Sequence, residues 1–164
     1  MPKQLPSILL GGAVIAVANT LLGALVMHFV LQRSFMAVPL SYVGCLVSTG
    51  AGLLAVWHYT STYQTTISGG QGAMMGFWAG AVATLVGSGL SHLLSLAGLL
   101  PDLSSVRMDR DIPAVAQHSL FQILGYLLIV TVYAVLGLIG GVLGAAVFKK
   151  GSAYQDDSTA SDFI

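Results

Sequence analysis

From Ser34 to Pro101 the chain carries no aspartate, glutamate, lysine or arginine, and this vacancy limits the possible folds more than any other feature. Soluble domains average about 25 % charged residues. This chain of 164 residues has 7 %, too few to build a water-facing surface. The charges that do occur sit between apolar runs or at the ends: Lys3, Arg33, the cluster Asp102, Arg107, Asp109, Arg110 and Asp111, then Lys149, Lys150 and the acidic Asp156, Asp157 and Asp162. That distribution is what the cost of placing ions in hydrocarbon demands. With a net charge of zero, nothing points to a polyanionic partner, and nucleic acid is excluded.

Crossing about 30 Å of hydrocarbon takes about 20 helical residues. Four stretches qualify: 5–31, 38–57, 72–100 and 120–148. Pro6 suits a helix start, Pro101 stops the third span, and Lys149-Lys150-Gly151 stops the fourth. Lys3 ahead of Ile8–Val17, with Ala16-Val17-Ala18 as a small-x-small site, imitates a secretory signal. The apolar run continues to Leu31, so residues 1–31 are expected to be retained as the first span. The fold class expected is therefore an all-α integral membrane protein, a four-transmembrane-helix bundle over 1–150. Residues 151–164 are expected to be a disordered polar tail.

Tyr42, Trp57, Tyr59 and Tyr63 stand near span ends, where aromatic belts form. Ser104 or Ser105 is expected to cap a short surface helix, with Arg107 and Asp111 paired one turn apart. An even number of spans puts both termini on one face. Lys3, Lys149 and Lys150 then oppose Arg33, Arg107 and Arg110. The lysine pair abutting the last span favours cytoplasmic termini.

A shift of 64 residues lays the first span on the third: Gly12 on Gly76, Thr20 on Thr84, Leu21 on Leu85, Gly23 on Gly87 and His28 on His92. Either a two-helix hairpin has been duplicated, related by an axis along the membrane normal, or small-residue packing has converged. In both spans the small residues fall on a seam of alternating four- and three-residue steps, Gly12, Ala16, Asn19 and Gly23 against Gly76, Gly80, Ala83 and Gly87. The fourth span repeats it with Gly137, Gly140 and Gly144. Such seams let helix backbones approach closely at crossing angles near about +20°. They are the candidate packing residues, and Asn19 is expected to hydrogen-bond across helices.

Chemistry is sparse. His28 and His92 stand at matched depth and present the one candidate haem or metal pair. The alternative is two polar side chains at the headgroup boundary. No cofactor is expected otherwise. Cys45, the only cysteine, permits neither an internal disulfide nor a cysteine metal site. The polar groups inside the spans are uncharged, chiefly Asn19, Thr20, Thr84, Ser88 and Thr131. Ser68-Gly69-Gly70-Gln71-Gly72 lacks the lysine and strand of a phosphate loop. No catalytic constellation is legible, and an enzyme is not expected.

The run Gly44-Cys45-Leu46…Ala55-Val56-Trp57-His58-Tyr59, the junction Ile67-Ser68-Gly69-Gly70-Gln71-Gly72-Ala73 and the end Gly140-Gly141-Val142-Leu143-Gly144-Ala145-Ala146-Val147-Phe148-Lys149-Lys150 resemble small four-helix bacterial inner-membrane proteins known only as domains of unknown function. The resemblance implies four spans in a bacterial inner membrane and brings no substrate, cofactor or catalytic residue. The function expected is that of a packing or accessory subunit, partnered by the lipid bilayer and by itself or another membrane protein. The alternative is a passive channel or transporter component.

Overall fold

The computed structural model describes residues 4–100 and 119–148. They form four α-helices: α1 (Leu5–Leu31), α2 (Ala37–Tyr63), α3 (Gly69–Leu96) and α4 (Ser119–Val147). Each is long and apolar enough to cross a membrane. The sequence expectations for Pro101, for the 102–118 segment with its charges, Ser104 and Ser105, and for the lysine pair and the 151–164 tail lie outside the described residues.

Local chemistry sets the helix ends, and in two helices it moves them away from the hydropathy limits. The polar run His58–Tyr63 continues α2 beyond Trp57, because its inner side is buried. Tyr59 and Thr60 are 4 % and 1 % exposed, and the Thr60 hydroxyl donates to the Val56 carbonyl at 3.0 Å. The helix stops at Gln64, which takes a left-handed φ of 50°. α3 begins at Gly69, three residues before Gly72. There Ser68 and Gln71 form a reciprocal capping box, Gln71 N–H donating to Ser68 Oγ and Ser68 N–H to Gln71 Oε1. It ends at Leu96, ahead of Pro101, with Ala97 N–H returning to the Leu93 carbonyl and Gly98 at φ 69°.

α1 lies beside α2 and α3, and α4 lies beside the same two. α2 and α3 meet across the centre, leaving α1 and α4 on opposite sides of that contact. This order corrects the duplicated-hairpin expectation. A two-fold axis exchanging α1 with α3 and α2 with α4 would turn the α2–α3 contact into an α4–α1 contact. No close approach of α1 to α4 exists among the described residues. The matched glycines also face unlike surroundings: Gly12 abuts Ala79 and Val82 of α3, whereas Gly76 abuts Gly137 and Gly141 of α4.

The interior is built of small residues and the exterior of large ones. Ala16, Ala51, Ala55 and Ala79 are fully buried, while Leu21, Phe35, Leu46 and Leu96 are each at least 65 % exposed. Alanine and glycine inside let the backbones approach. A Cβ on Gly140 would run into the Thr49 carbonyl of α2, and one on Gly12 would come within 2.9 Å of the Ala79 carbonyl. Small residues buried at helix interfaces and bulky apolar ones outside are the arrangement that suits a hydrocarbon solvent.

Candidate functional site

The close glycine contacts all occur in one half of the bundle. That half comprises the start of α1 and α3 and the end of α2 and α4. There an added Cβ on Gly11, Gly72, Gly80 or Gly137 would meet neighbouring atoms at or below 2.7 Å. In the other half the spacing is looser. Gly87 would meet Ala16 only at 3.7 Å, and Gly23, Gly89 and Gly125 would meet nothing within 4 Å. The helices are pinned together at one end and stand apart at the other.

Between the separated ends lies a cavity of 740 Å³ bounded by α1, α3 and α4. Asn19, Ala83 and Tyr133, each near the middle of its helix, form the floor. Thr20, Thr84, Ser88 and Tyr126 line the wall, with His92 and Ser95 toward the C-terminal end of α3. A second space of 190 Å³ between α1 and α2 shares Asn19, Gly23 and Tyr133 with the first. The larger cavity, the vestibule, occupies one half of the bundle. It reaches to mid-bundle and meets the glycine-packed half there.

The polar groups on this wall are ordered by hydrogen bonds within the protein. Thr20 donates to the Ala16 carbonyl at 2.8 Å and Thr84 to the Gly80 carbonyl at 3.0 Å. Ser88 Oγ lies 2.7 Å from the Thr84 carbonyl and 2.8 Å from the Tyr126 hydroxyl. At the floor, Asn19 Nδ2 donates to Ser48 Oγ of α2 at 3.0 Å. Ser48 gives its own hydrogen to the Gly44 carbonyl at 2.7 Å, so its oxygen can only accept, and this fixes the orientation of the amide. Asn19 Oδ1 is buried and has no donor among the described residues. Among the described residues that line the cavity there is no aspartate, glutamate, lysine or arginine.

No protein-family model matches the chain, and neither does any curated protein or solved structure. The geometry is therefore the only guide to this site.

The structure divides the expected residues between the two halves. Gly12, Ala16, Gly76, Gly80, Ala83, Gly137, Gly140 and Gly144 are buried. Gly23 is exposed at the vestibule and makes no close contact, and Gly87 makes an ordinary one. The continuous seam through Gly23 and Gly87 is corrected accordingly, because α1 and α3 drift apart beyond Thr20. The two histidines also part. His92 lines the vestibule, whereas the exposed His28 is not on its wall and pairs with Gln32 at 2.9 Å. Among the described residues no group of three or more histidine, cysteine or acidic side chains gathers for a metal.

One pairing was invisible in the sequence. Ser7 Oγ and His58 Nδ1, 51 positions apart, share a hydrogen bond of 2.9 Å. It does not resemble a nucleophile and base poised for substrate. Ser7 is fully buried, and no carboxylate occurs among the described residues to orient the imidazole. It works as a polar clasp between α1 and α2. Replacing His58 with alanine strands a buried hydroxyl, which costs about 1–3 kcal/mol. The expected result is a lower unfolding midpoint in detergent for His58→Ala and a smaller drop for Ser7→Ala. A His58→Ala midpoint equal to wild type would remove the clasp from the account.

Proposed function

We propose that this is a four-span integral membrane protein of a bacterial inner membrane, with cytoplasmic termini, that acts without catalysis as the ligand-binding component of a transport or carrier system. The vestibule is the observation that carries the reading. Its 740 Å³ falls within the roughly 300–1,000 Å³ of sites that take small molecules. Its wall combines apolar surface with a few convergent polar groups, and its floor lies at mid-helix, where carrier sites sit near the bilayer midplane. The membrane assignment is supported by the bulky apolar exterior and by Arg33 as the one charged side chain among the described residues.

Two other readings gain less support. A packing or accessory subunit needs small-residue surface free for another protein, yet most of that surface is buried within this chain. A passive pore needs a continuous path, and backbone contacts such as Gly76 against Gly137 close one half of the bundle. The proposal is tested with the full chain in lipid nanodiscs. Uncharged amphipaths should raise the unfolding midpoint saturably, and Ala24→Phe, which projects a ring from the vestibule wall, should abolish the effect. Identical responses from wild type and Ala24→Phe would overturn the reading.

A further inference from the structure

Resting on that reading, we infer that the Tyr133 side chain is the length stop of the vestibule. It divides the 740 Å³ cavity from the 190 Å³ space between α1 and α2, and so decides how long a ligand fits. The two spaces meet at three residues, Asn19, Gly23 and Tyr133. Gly23 brings no side chain, and a Cβ added there would meet nothing within 4 Å. Asn19 is tied to α2 by its hydrogen bond to Ser48. Tyr133 is therefore the one bulky side chain on the boundary.

Which part of Tyr133 reaches that boundary follows from its backbone. The Tyr133 carbonyl is turned to α3, where a Cβ on Gly80 would run into it. The smaller space is lined by α1 and α2, and Tyr133 is the one α4 residue among the described residues that border it. What α4 extends into it is therefore the phenol ring. Without the ring the two volumes join. The approach of Gly80 to α4 survives the loss, because it involves backbone atoms of Tyr133. The room gained runs past Leu22, Val26 and Leu40, an apolar lining that suits the body of an amphipath and not its head.

The test uses a series of unbranched 1-alkanols on the nanodisc-embedded protein, each dosed by its mole fraction in the lipid. The readout is the saturable rise in unfolding midpoint, taken relative to Ala24→Phe to remove effects of the bilayer. In the wild type, affinity should hold up to a limiting chain length and then fall, because further methylenes must be forced against the ring. Overpacking of that kind weakens binding by about tenfold or more. Tyr133→Ala should move the limit to longer chains and bind the first alcohol that the wild type rejects about tenfold more tightly. Tyr133→Phe, which keeps the ring, should keep the wild-type limit. Gly44→Leu added to Tyr133→Ala refills the smaller space from α2, with Leu22 at an ordinary contact distance of 3.6 Å, and should bring the limit back. Tyr133→Leu carries the same comparison should Tyr133→Ala lose its monodisperse state. An unchanged limit in the ring-less variant overturns the length stop and leaves the vestibule as a ligand site. A limit that moves but is not restored by Gly44→Leu places the added room elsewhere and overturns it too. Failure of every alcohol to bind in a way that Ala24→Phe abolishes overturns both the length stop and the ligand site.

Discussion

Leucine in place of Gly76 is expected to prevent the chain from reaching its folded, monodisperse state. Gly76 sits where α2, α3 and α4 cross. Its own Cα would lie 2.9 Å from a Cβ on Gly52, and a Cβ added to Gly76 would run into the Gly137 carbonyl oxygen and come within 2.9 Å of the Gly141 Cα. Every one of these obstacles is backbone, so no side chain can rotate out of the way and at least one helix must move. Overpacking ordinarily costs about 1–3 kcal/mol. Here four extra carbons would have to enter a backbone-to-backbone contact, and helix displacement would also break the neighbouring Gly72–Gly141 and Gly80–Tyr133 approaches. The loss should exceed that range and consume much of a total stability of about 5–15 kcal/mol. Gly23→Leu provides the control, because a side chain there meets nothing within 4 Å. Its unfolding free energy should stay within about 1 kcal/mol of wild type. Size-exclusion profiles and denaturation in mixed micelles check both, and equal behaviour of the two variants would refute the glycine-crossing account.

The contrast between these two glycines also shows how far the sequence could be read. The four apolar runs fix four helices, because a chain with no charge from Ser34 to Pro101 has few other ways to satisfy its backbone in an apolar solvent. Helix ends governed by a single side chain escape a hydropathy reading. The Ser68–Gln71 box starts α3 early, and the burial of Tyr59 and Thr60 prolongs α2. The 4/3 spacing of Gly12, Gly76 and Gly137 marks surfaces made for close approach, but spacing on one helix carries no address for the partner. Gly23 and Gly76 are identical in sequence terms. One faces empty space and the other a backbone, because separation of the helices is a property of the assembled bundle. The vestibule was half legible for the same reason. Asn19, Thr20, Thr84 and Ser88 stand out as uncharged polar groups inside spans, and all four line the cavity. Thr131, of the same chemical type, is exposed and bonds the Leu127 carbonyl of its own helix at 2.8 Å. Only the three-helix arrangement separates it from the others.

Ser88→Cys, in a Cys45→Ala background that removes the exposed native thiol, is expected to react with a membrane-impermeant maleimide from one side of the membrane only. The vestibule lies in the half of the bundle where α1 and α3 finish and α4 begins, away from the start of α1 and the end of α4. With cytoplasmic termini, that half faces outward, so intact cells should label and inside-out vesicles should not. Ala79→Cys supplies the comparison from the closed half, where Ala79 is fully buried. A thiol in an apolar, water-free setting keeps its proton and is a poor nucleophile, so its labelling should be slower by about tenfold or more. The outcomes are separable. Labelling of Ser88→Cys in inside-out vesicles alone would reverse the orientation and leave the vestibule intact. Equal rates for Ser88→Cys and Ala79→Cys would mean that no difference in access exists between the halves, and the carrier reading would fall with it. An added uncharged amphipath ties the experiment to the ligand: it should slow the reaction at Ser88→Cys in proportion to its occupancy and leave an Arg33→Cys control, in the short connector between α1 and α2, unchanged.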